Sequence, residues 1–229
     1  MIYIHLFFKR FFDIVLSLLG IIILIPVWII VPIAIKCDSK GPVLFKQERR
    51  TKNGKIFKIW KYRSMVVNAE KTGAGLFNYE DDPRVTKVGR FLRKSSIDEL
   101  PQLFNILFGQ MSIVGPRPCV KYELGDYETL NQKYKKRFKM KSGLTGWAQI
   151  KGRNDIYWDK KVVLDNEYID RFRKLGVLID AYIILMTALK VFKKENIYEN
   201  KIDETMSDVE AAQLEEQEII RIAHLPDEK

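Results

Sequence analysis

IVLSLLGIIILIPVWIIVPIAI, from Ile14 to Ile35, carries no charged residue and is about as long as a run that spans a bilayer core as a helix. Pro26 near its middle and Pro32 beyond it each remove a backbone donor and clash with the preceding turn, so a kink is expected at Pro26. Lys9 and Arg10 precede the run and Lys36 and Lys40 follow it. The preference of cationic flanks for the cytoplasmic side favours keeping both ends there. A re-entrant hairpin meets both conditions, provided that protein, side chains or water cover the backbone groups freed at the break. The alternatives are a kinked spanning anchor and a cleaved leader, the latter disfavoured because no small-x-small site precedes Lys36.

Outside this segment, a 229-residue chain suits one compact domain with attachments. With 47% hydrophobic and 30% charged residues, it is neither a polytopic membrane protein nor a disordered tail. The net charge of +10 points to an anionic partner: nucleic acid, lipid headgroups or a phosphorylated substrate. Nine acidic against three basic residues between Lys201 and Lys229 leave roughly +16 on everything before them, so the tail is a separate electrostatic unit. Cys37 and Cys119 form no disulfide or zinc pattern, in keeping with a reducing compartment.

After Gly41-Pro42, Val43-Leu44-Phe45 and Ile56-Phe57-Lys58-Ile59-Trp60 flank Asn53-Gly54, which reads as a β-hairpin. Its arms carry Lys46, Arg49, Arg50, Lys52, Lys58, Lys61 and Arg63, a cluster suited to anionic headgroups or, more plainly, to a solvated edge. From Asn68 to Asp82 the periodicity is lost and Gly73 and Gly75 predict a loop.

Val88-Gly89-Arg90-Phe91-Leu92-Arg93-Lys94-Ser95-Ser96-Ile97-Asp98-Glu99-Leu100-Pro101-Gln102 places two adjacent carboxylates among cations. Ser95 or Ser96 capping a helix that starts with Asp98 and Glu99 is one explanation. It leaves Arg84, Lys87, Arg90, Arg93, Lys94 and Arg117 without a reason, whereas a polyphosphate and a divalent metal would supply one. In phosphoryl transfer a carboxylate serves as metal ligand or as the nucleophile that forms an acyl phosphate.

At these residues the sequence resembles the bacterial sugar transferases, the monotopic phosphoglycosyl transferases. The resemblance runs from about Lys9 to Phe192 through Lys9-Arg10-Phe11-Phe12-Asp13, Gly41-Pro42 with Gln47 and Arg49, Lys61-Tyr62-Arg63-Ser64-Met65 and Asp82-Pro83-Arg84-Val85-Thr86. Its stronger segments are Asp98-Glu99-Leu100-Pro101-Gln102, Met111-Ser112-Ile113-Val114-Gly115-Pro116-Arg117-Pro118, and Gly143-Leu144-Thr145-Gly146-Trp147-Ala148-Gln149 leading into Gly152-Arg153-Asn154.

The resemblance implies transfer of a phosphosugar from a UDP-sugar to undecaprenyl phosphate, the first membrane step of glycoconjugate assembly, by a ping-pong reaction through an aspartyl-phosphosugar. Asp98 would be the nucleophile, Glu99 a ligand or base, and Mg2+ would bridge the diphosphate and both carboxylates. Arg93 and Arg117 are expected on phosphate, with Lys61, Arg63, Pro116 and Gln102 as further substrate-binding candidates. The family's membrane helix breaks at a Ser-Pro pair, where this chain has Ile25-Pro26. That departure removes a hydroxyl able to satisfy a carbonyl freed at the kink.

The expected fold is α/β, mostly α with a small β element rather than a Rossmann sheet. It divides into a re-entrant membrane helix over 1–40, a cytoplasmic-face catalytic domain with interfacial helices over 41–199, and an acidic helical tail over 200–229. Lys133 to Lys141 reads as a basic run along phosphates or headgroups, or as a solvated helix face. Leu175 to Phe192 reads as interfacial, since Asp180 and Lys190 leave too short an uncharged run to span. The implied setting is the bacterial inner membrane with its anionic phospholipids. Nucleic-acid binding, suggested by Tyr62, Trp147 and Trp158 among cations, and an inactive scaffold both leave the ordered motifs unexplained. Homodimerisation through the first segment or the tail is compatible with the sequence, which has no long heptad run.

Overall fold

A computed structural model describes residues 2–71, 82–152, 158–193 and 217–225. The Gly73–Gly75 part of the predicted loop, Arg153-Asn154 and most of the acidic tail lie outside them. The chain is mostly helical, with two small two-stranded sheets.

The opening apolar run forms two helices, α1 (Ile2–Ile23) and α2 (Ile25–Asp38), bent by 63° at Leu24. The break falls where the sequence places it, because Pro26 is tolerated only in the first turn of α2, where its missing N–H has no intrahelical acceptor. The indole Nε1 of Trp28 donates to the carbonyl of Ile21 at 2.8 Å, across the break. It thus satisfies a carbonyl freed by the bend, the task for which the sequence offered no hydroxyl at residue 25.

Helix α1 is inside out for a helix in water. Its buried residues are Lys9, Asp13 and Ser17, spaced by four on the face that meets the rest of the molecule. Its exposed face carries Phe7, Phe8, Phe11, Phe12, Leu16, Leu19 and Ile22. Lys9 Nζ lies 2.6 Å from Asp180 Oδ2 and donates to the carbonyl of Val114, while Asp13 accepts from Ser112 Oγ and the amide of Ile113. Arg10 donates to the carbonyls of Ile106 and Leu107. Lys9 and Arg10 are therefore spent on protein groups rather than displayed to headgroups.

The predicted hairpin is present. Strands β1 (Leu44–Arg50) and β2 (Ile56–Tyr62) pair antiparallel, with Leu44 opposite Tyr62 and Arg50 opposite Ile56. Asn53 and Gly54 take positive φ in the connection, a conformation these two residue types accept at least cost. Several of its cations are structural. Arg50 is buried and donates to the carbonyls of Gly125 and Lys121, and Arg49 donates to that of Pro118.

Three helices follow: α3 (Lys87–Lys94), α4 (Gln102–Leu107) and, further on, α5 (Gln132–Lys136). Thr86 caps α3 by accepting from the amide of Gly89, and Asp38 at the end of α2 accepts from that of Val88. Buried Asn105 fastens α4 to β2 by accepting from the amide of Trp60 and donating to the carbonyl of Lys58. The turn between α3 and α4 is thus held from both sides.

Strands β3 (Ser112–Val114) and β4 (Gly143–Thr145) form a short parallel ladder, with Ser112 opposite Gly143 and Val114 opposite Thr145. Two motifs far apart in sequence lie side by side here. The amide of Gly115 donates to Thr145 and that of Gly143 to Pro116. A Cβ at residue 115 would sit 2.3 Å from the carbonyl of Lys141, so the close approach requires glycine.

Helices α6 (Trp147–Lys151), α7 (Trp158–Leu175) and α8 (Val177–Lys193) complete this part. Their core unites Trp147, Ile150, Tyr168, Ile169, Phe172, Ile179 and Ile183 with Val114. On α8, Leu178, Tyr182, Leu185, Leu189 and Val191 are exposed. A last helix, α9, covers 217–223. Its Ile219 and Ala223 join Cys119, Leu124, Leu130, Tyr134, Phe138, Trp158 and Val162 in a second core.

No single described helix is long and apolar enough to cross a membrane; α1 and α2 reach that length and composition only as a bent pair. Apolar side chains are also exposed on α2 (Ile29, Ile30, Ile33) and at Phe108, so the outward faces of α1, α2 and α8 are largely nonpolar.

Candidate active site

Asp98 and Glu99 sit on a single 3₁₀ turn, Ile97–Glu99, between α3 and α4. The capping explanation fails. Ser95 closes α3, its hydroxyl donating to the carbonyl of Phe91, and Ser96 makes no side-chain cap. Ser96 instead has φ +56°, a left-handed conformation that costs a non-glycine residue roughly 1 kcal/mol or more and is commonest where function fixes the backbone. This bend turns the chain so that Asp98 faces inward, only 8% exposed.

Both carboxylates line a cavity of about 900 Å³ with Lys61, Arg63, Ser64, Arg93, Ser96 and Arg117. Lys61 Nζ donates to Glu99 Oε1 at 2.8 Å, and Arg117 Nη2 lies 3.7 Å from the same oxygen. Arg93 Nε donates to Ser64 Oγ at 2.9 Å. Burial pushes the Asp98 carboxyl up to about 6; Lys61 opposes the rise, neighbouring Glu99 adds to it, and Arg93 and Arg117 oppose it. The carboxylate is thus poorly solvated but surrounded by cations, so an incoming anion meets positive charge around a basic oxygen.

The other predicted site residues divide. Arg63 lines the cavity, yet its guanidinium is buried and donates to the carbonyls of Lys40 and Ser39 and to Ser39 Oγ, tying the end of α2 to β2. Gln102 is buried in the first turn of α4, and Pro116 offers its carbonyl to Gly143. Neither residue lines the cavity.

Arg137 escaped the sequence reading because it lies within the basic run from Lys133 to Lys141. It is fully buried, bonded to Asp165 Oδ2 through Nε at 3.0 Å, and donates through Nη2 to the carbonyl of Arg117 at 2.7 Å. It therefore positions the backbone that carries Arg117. Its only sequence signal is the matching acid on α7, 28 residues away. Tyr62, Trp147 and Trp158, the aromatics that suggested nucleic-acid stacking, are all buried.

No cluster of three or more His, Cys, Asp or Glu side chains able to hold a metal occurs among the described residues. Two carboxylates are nonetheless the usual protein share of an Mg2+ site whose other ligands are substrate phosphates and water, so the Asp98–Glu99 pair fits such an ion.

Against this geometry, the model of the bacterial sugar transferase family matches residues 4–194. The chain belongs to the bacterial sugar transferases. Among curated members of the family, it is 43% identical over 200 residues to the UDP-glucose:undecaprenyl-phosphate glucose-1-phosphate transferase of Klebsiella pneumoniae, covering 85% of this chain and 42% of that protein. It is 44% identical over 200 residues to the galactosyl transferase CpsE of Streptococcus agalactiae, covering 82% of this chain and 43% of that protein. It is 42% identical over 192 residues to the uncharacterized sugar transferase EpsL of Bacillus subtilis, covering 82% and 89%. This sugar transferase thus spans about two fifths of the length of the first two relatives and most of the third.

Proposed function

We propose that this sugar transferase moves a phosphosugar from a UDP-sugar to a polyprenol phosphate, such as undecaprenyl phosphate, in two displacements. In the first, a carboxylate oxygen of Asp98 attacks the phosphorus that bears the sugar. The bond to the bridging oxygen breaks and UMP departs with the electron pair, leaving the phosphosugar on Asp98 as an acyl phosphate. In the second, an oxygen of polyprenol phosphate attacks the same phosphorus and Asp98 leaves as a carboxylate. The observation that carries this reading is the burial of Asp98 in a cavity walled by Lys61, Arg93 and Arg117.

Lys61, Arg93 and Arg117 hold the diphosphate, and their charge offsets the repulsion between an anionic nucleophile and an anionic phosphate. Asp98 and Glu99 would hold Mg2+, which when bound neutralises phosphate charge. Asp98 itself is buried, which limits the access of water to an acyl phosphate formed on it.

The enzyme works at the cytoplasmic face of a bacterial inner membrane, with α1 and α2 as a re-entrant element. Supporting this, both ends of the bent pair return to the same domain, through Lys9 and Asp180 at one end and Ser39 and Arg63 at the other. A spanning helix would separate its ends by the bilayer core of about 30 Å. The outward apolar faces of α1, α2 and α8 fit the same placement. The donor sugar is left unspecified, since the names of the relatives include both glucose and galactose.

The test is UMP release from a panel of UDP-sugars by detergent-solubilised protein with magnesium and undecaprenyl phosphate. Release with at least one sugar, lost in Asp98→Asn, is the expected result. Equal release by the variant, or none by the native protein from any sugar, would contradict the assignment.

A further inference from the structure

Gln149, in the middle of α6, has a carboxamide whose Oε1 and Nε2 are both buried and both without a hydrogen-bond partner among the described residues. A buried amide unsatisfied at both ends is rare enough to require a reason, and one reason is a ligand that supplies the missing groups. Gln149 lines the catalytic cavity, as do Thr145, Ile150 and Ile184. The backbone makes room for it. At Gly146 a Cβ would lie 2.8 Å from Gln149 Oε1 and 2.2 Å from the carbonyl of Gly115.

The chemistry of the group narrows the ligand. Lys61, Arg93 and Arg117 already answer the phosphates, whereas a carboxamide is neutral and presents one donor and one acceptor side by side. That pair complements neighbouring hydroxyls, or an acylamino group, on a hexose. A pyrimidine edge also offers a donor and an acceptor, so position must decide. Arg117 lies 3.7 Å from Glu99 and shares a small void with Gln149, placing the carboxamide one side chain away from the reacting carboxylates. The phosphorus attacked by Asp98 bears the sugar directly, while the base is set off by the second phosphate and the ribose.

We propose that Gln149 is a donor-binding residue that hydrogen-bonds the sugar of the UDP-sugar, an assignment that rests on the phosphosugar transfer proposed above. Steady-state UMP release, with UMP added as product inhibitor, tests it in the native protein, Gln149→Met and Gln149→Leu. For the preferred UDP-sugar, loss of two neutral hydrogen bonds is expected to raise KM about tenfold in the Met variant. Inhibition by UMP, which lacks the sugar, should stay within about twofold of native. If the Met variant does not fold, the Leu variant carries the same comparison. A parallel loss of UMP inhibition would place Gln149 at the nucleotide or in the scaffold and overturn the assignment, as would unchanged kinetics. A native protein that releases no UMP from any UDP-sugar would overturn the transferase reading itself, and is recognised before any variant is compared.

Discussion

The indole of Trp28 donates to the carbonyl of Ile21 at 2.8 Å, closing the gap that the bend at Leu24 opens between α1 and α2. Its ring also packs against Tyr62 and Phe104, with centroids 6.0 and 5.3 Å away. Trp28→Phe keeps most of that packing and removes the donor. Leaving the carbonyl unsatisfied in an apolar setting is expected to cost about 1–3 kcal/mol, seen as a lower Tm in detergent. An unchanged Tm would mean that the bond does not hold the bend.

Lys9 and Asp180 form a buried pair, joined by Tyr168, whose hydroxyl donates to Asp180 Oδ1. Removing one partner strands the other's charge, so Lys9→Met should destabilise by about 3–5 kcal/mol. Adding Asp180→Asn should recover much of the loss. Thermal unfolding of the two single variants and the double variant measures the coupling.

Asp98 titrates near 6 in the folded protein against an ordinary 3.8, because burial disfavours its charge. The folded state therefore binds the proton more tightly than the unfolded state, and stability falls as pH rises from about 4 to 6. Above pH 6 the full penalty is present, about 3 kcal/mol. Without metal or substrate, Asp98→Asn should be the more stable protein at pH 8, with the difference disappearing below pH 4. Denaturant unfolding across this range checks the sign.

Lys61 and Arg63 are two residues apart and should behave differently. Lys61 is the strongest charge opposing the rise at Asp98, so Lys61→Met should move the acid limb of UMP release to higher pH, by about one unit. Arg63→Met should leave that limb in place and lower Tm, since the guanidinium serves the carbonyls of Ser39 and Lys40.

These contrasts mark what was legible in the sequence. Proline and Asn-Gly act locally, so the break before Pro26 and the turn at Asn53-Gly54 could be placed from neighbouring residues alone. The Asp98–Glu99 pair among cations was legible for the same reason. Which cations serve the scaffold was not, because Arg50, Arg63 and Arg137 are indistinguishable by residue type from Arg93 and Arg117. Their burial is decided by carbonyls and acids contributed from distant segments, such as Ser39 for Arg63 and Asp165 for Arg137. Trp28 could have been proposed as the donor only with the geometry of the bend in hand. The docking of Ile219 and Ala223 depends on a core built from residues 119–162.

In the proposed mechanism Asp98 carries the phosphosugar between the two displacements. The most direct measurement is intact mass of the protein, quenched after mixing with its UDP-sugar in the absence of polyprenol phosphate. An adduct of one phosphosugar is expected, mapped to the peptide containing Asp98, absent in Asp98→Asn and discharged when polyprenol phosphate is added. No adduct on the native protein, together with UMP release only when donor and acceptor are both present, would contradict it and indicate direct transfer.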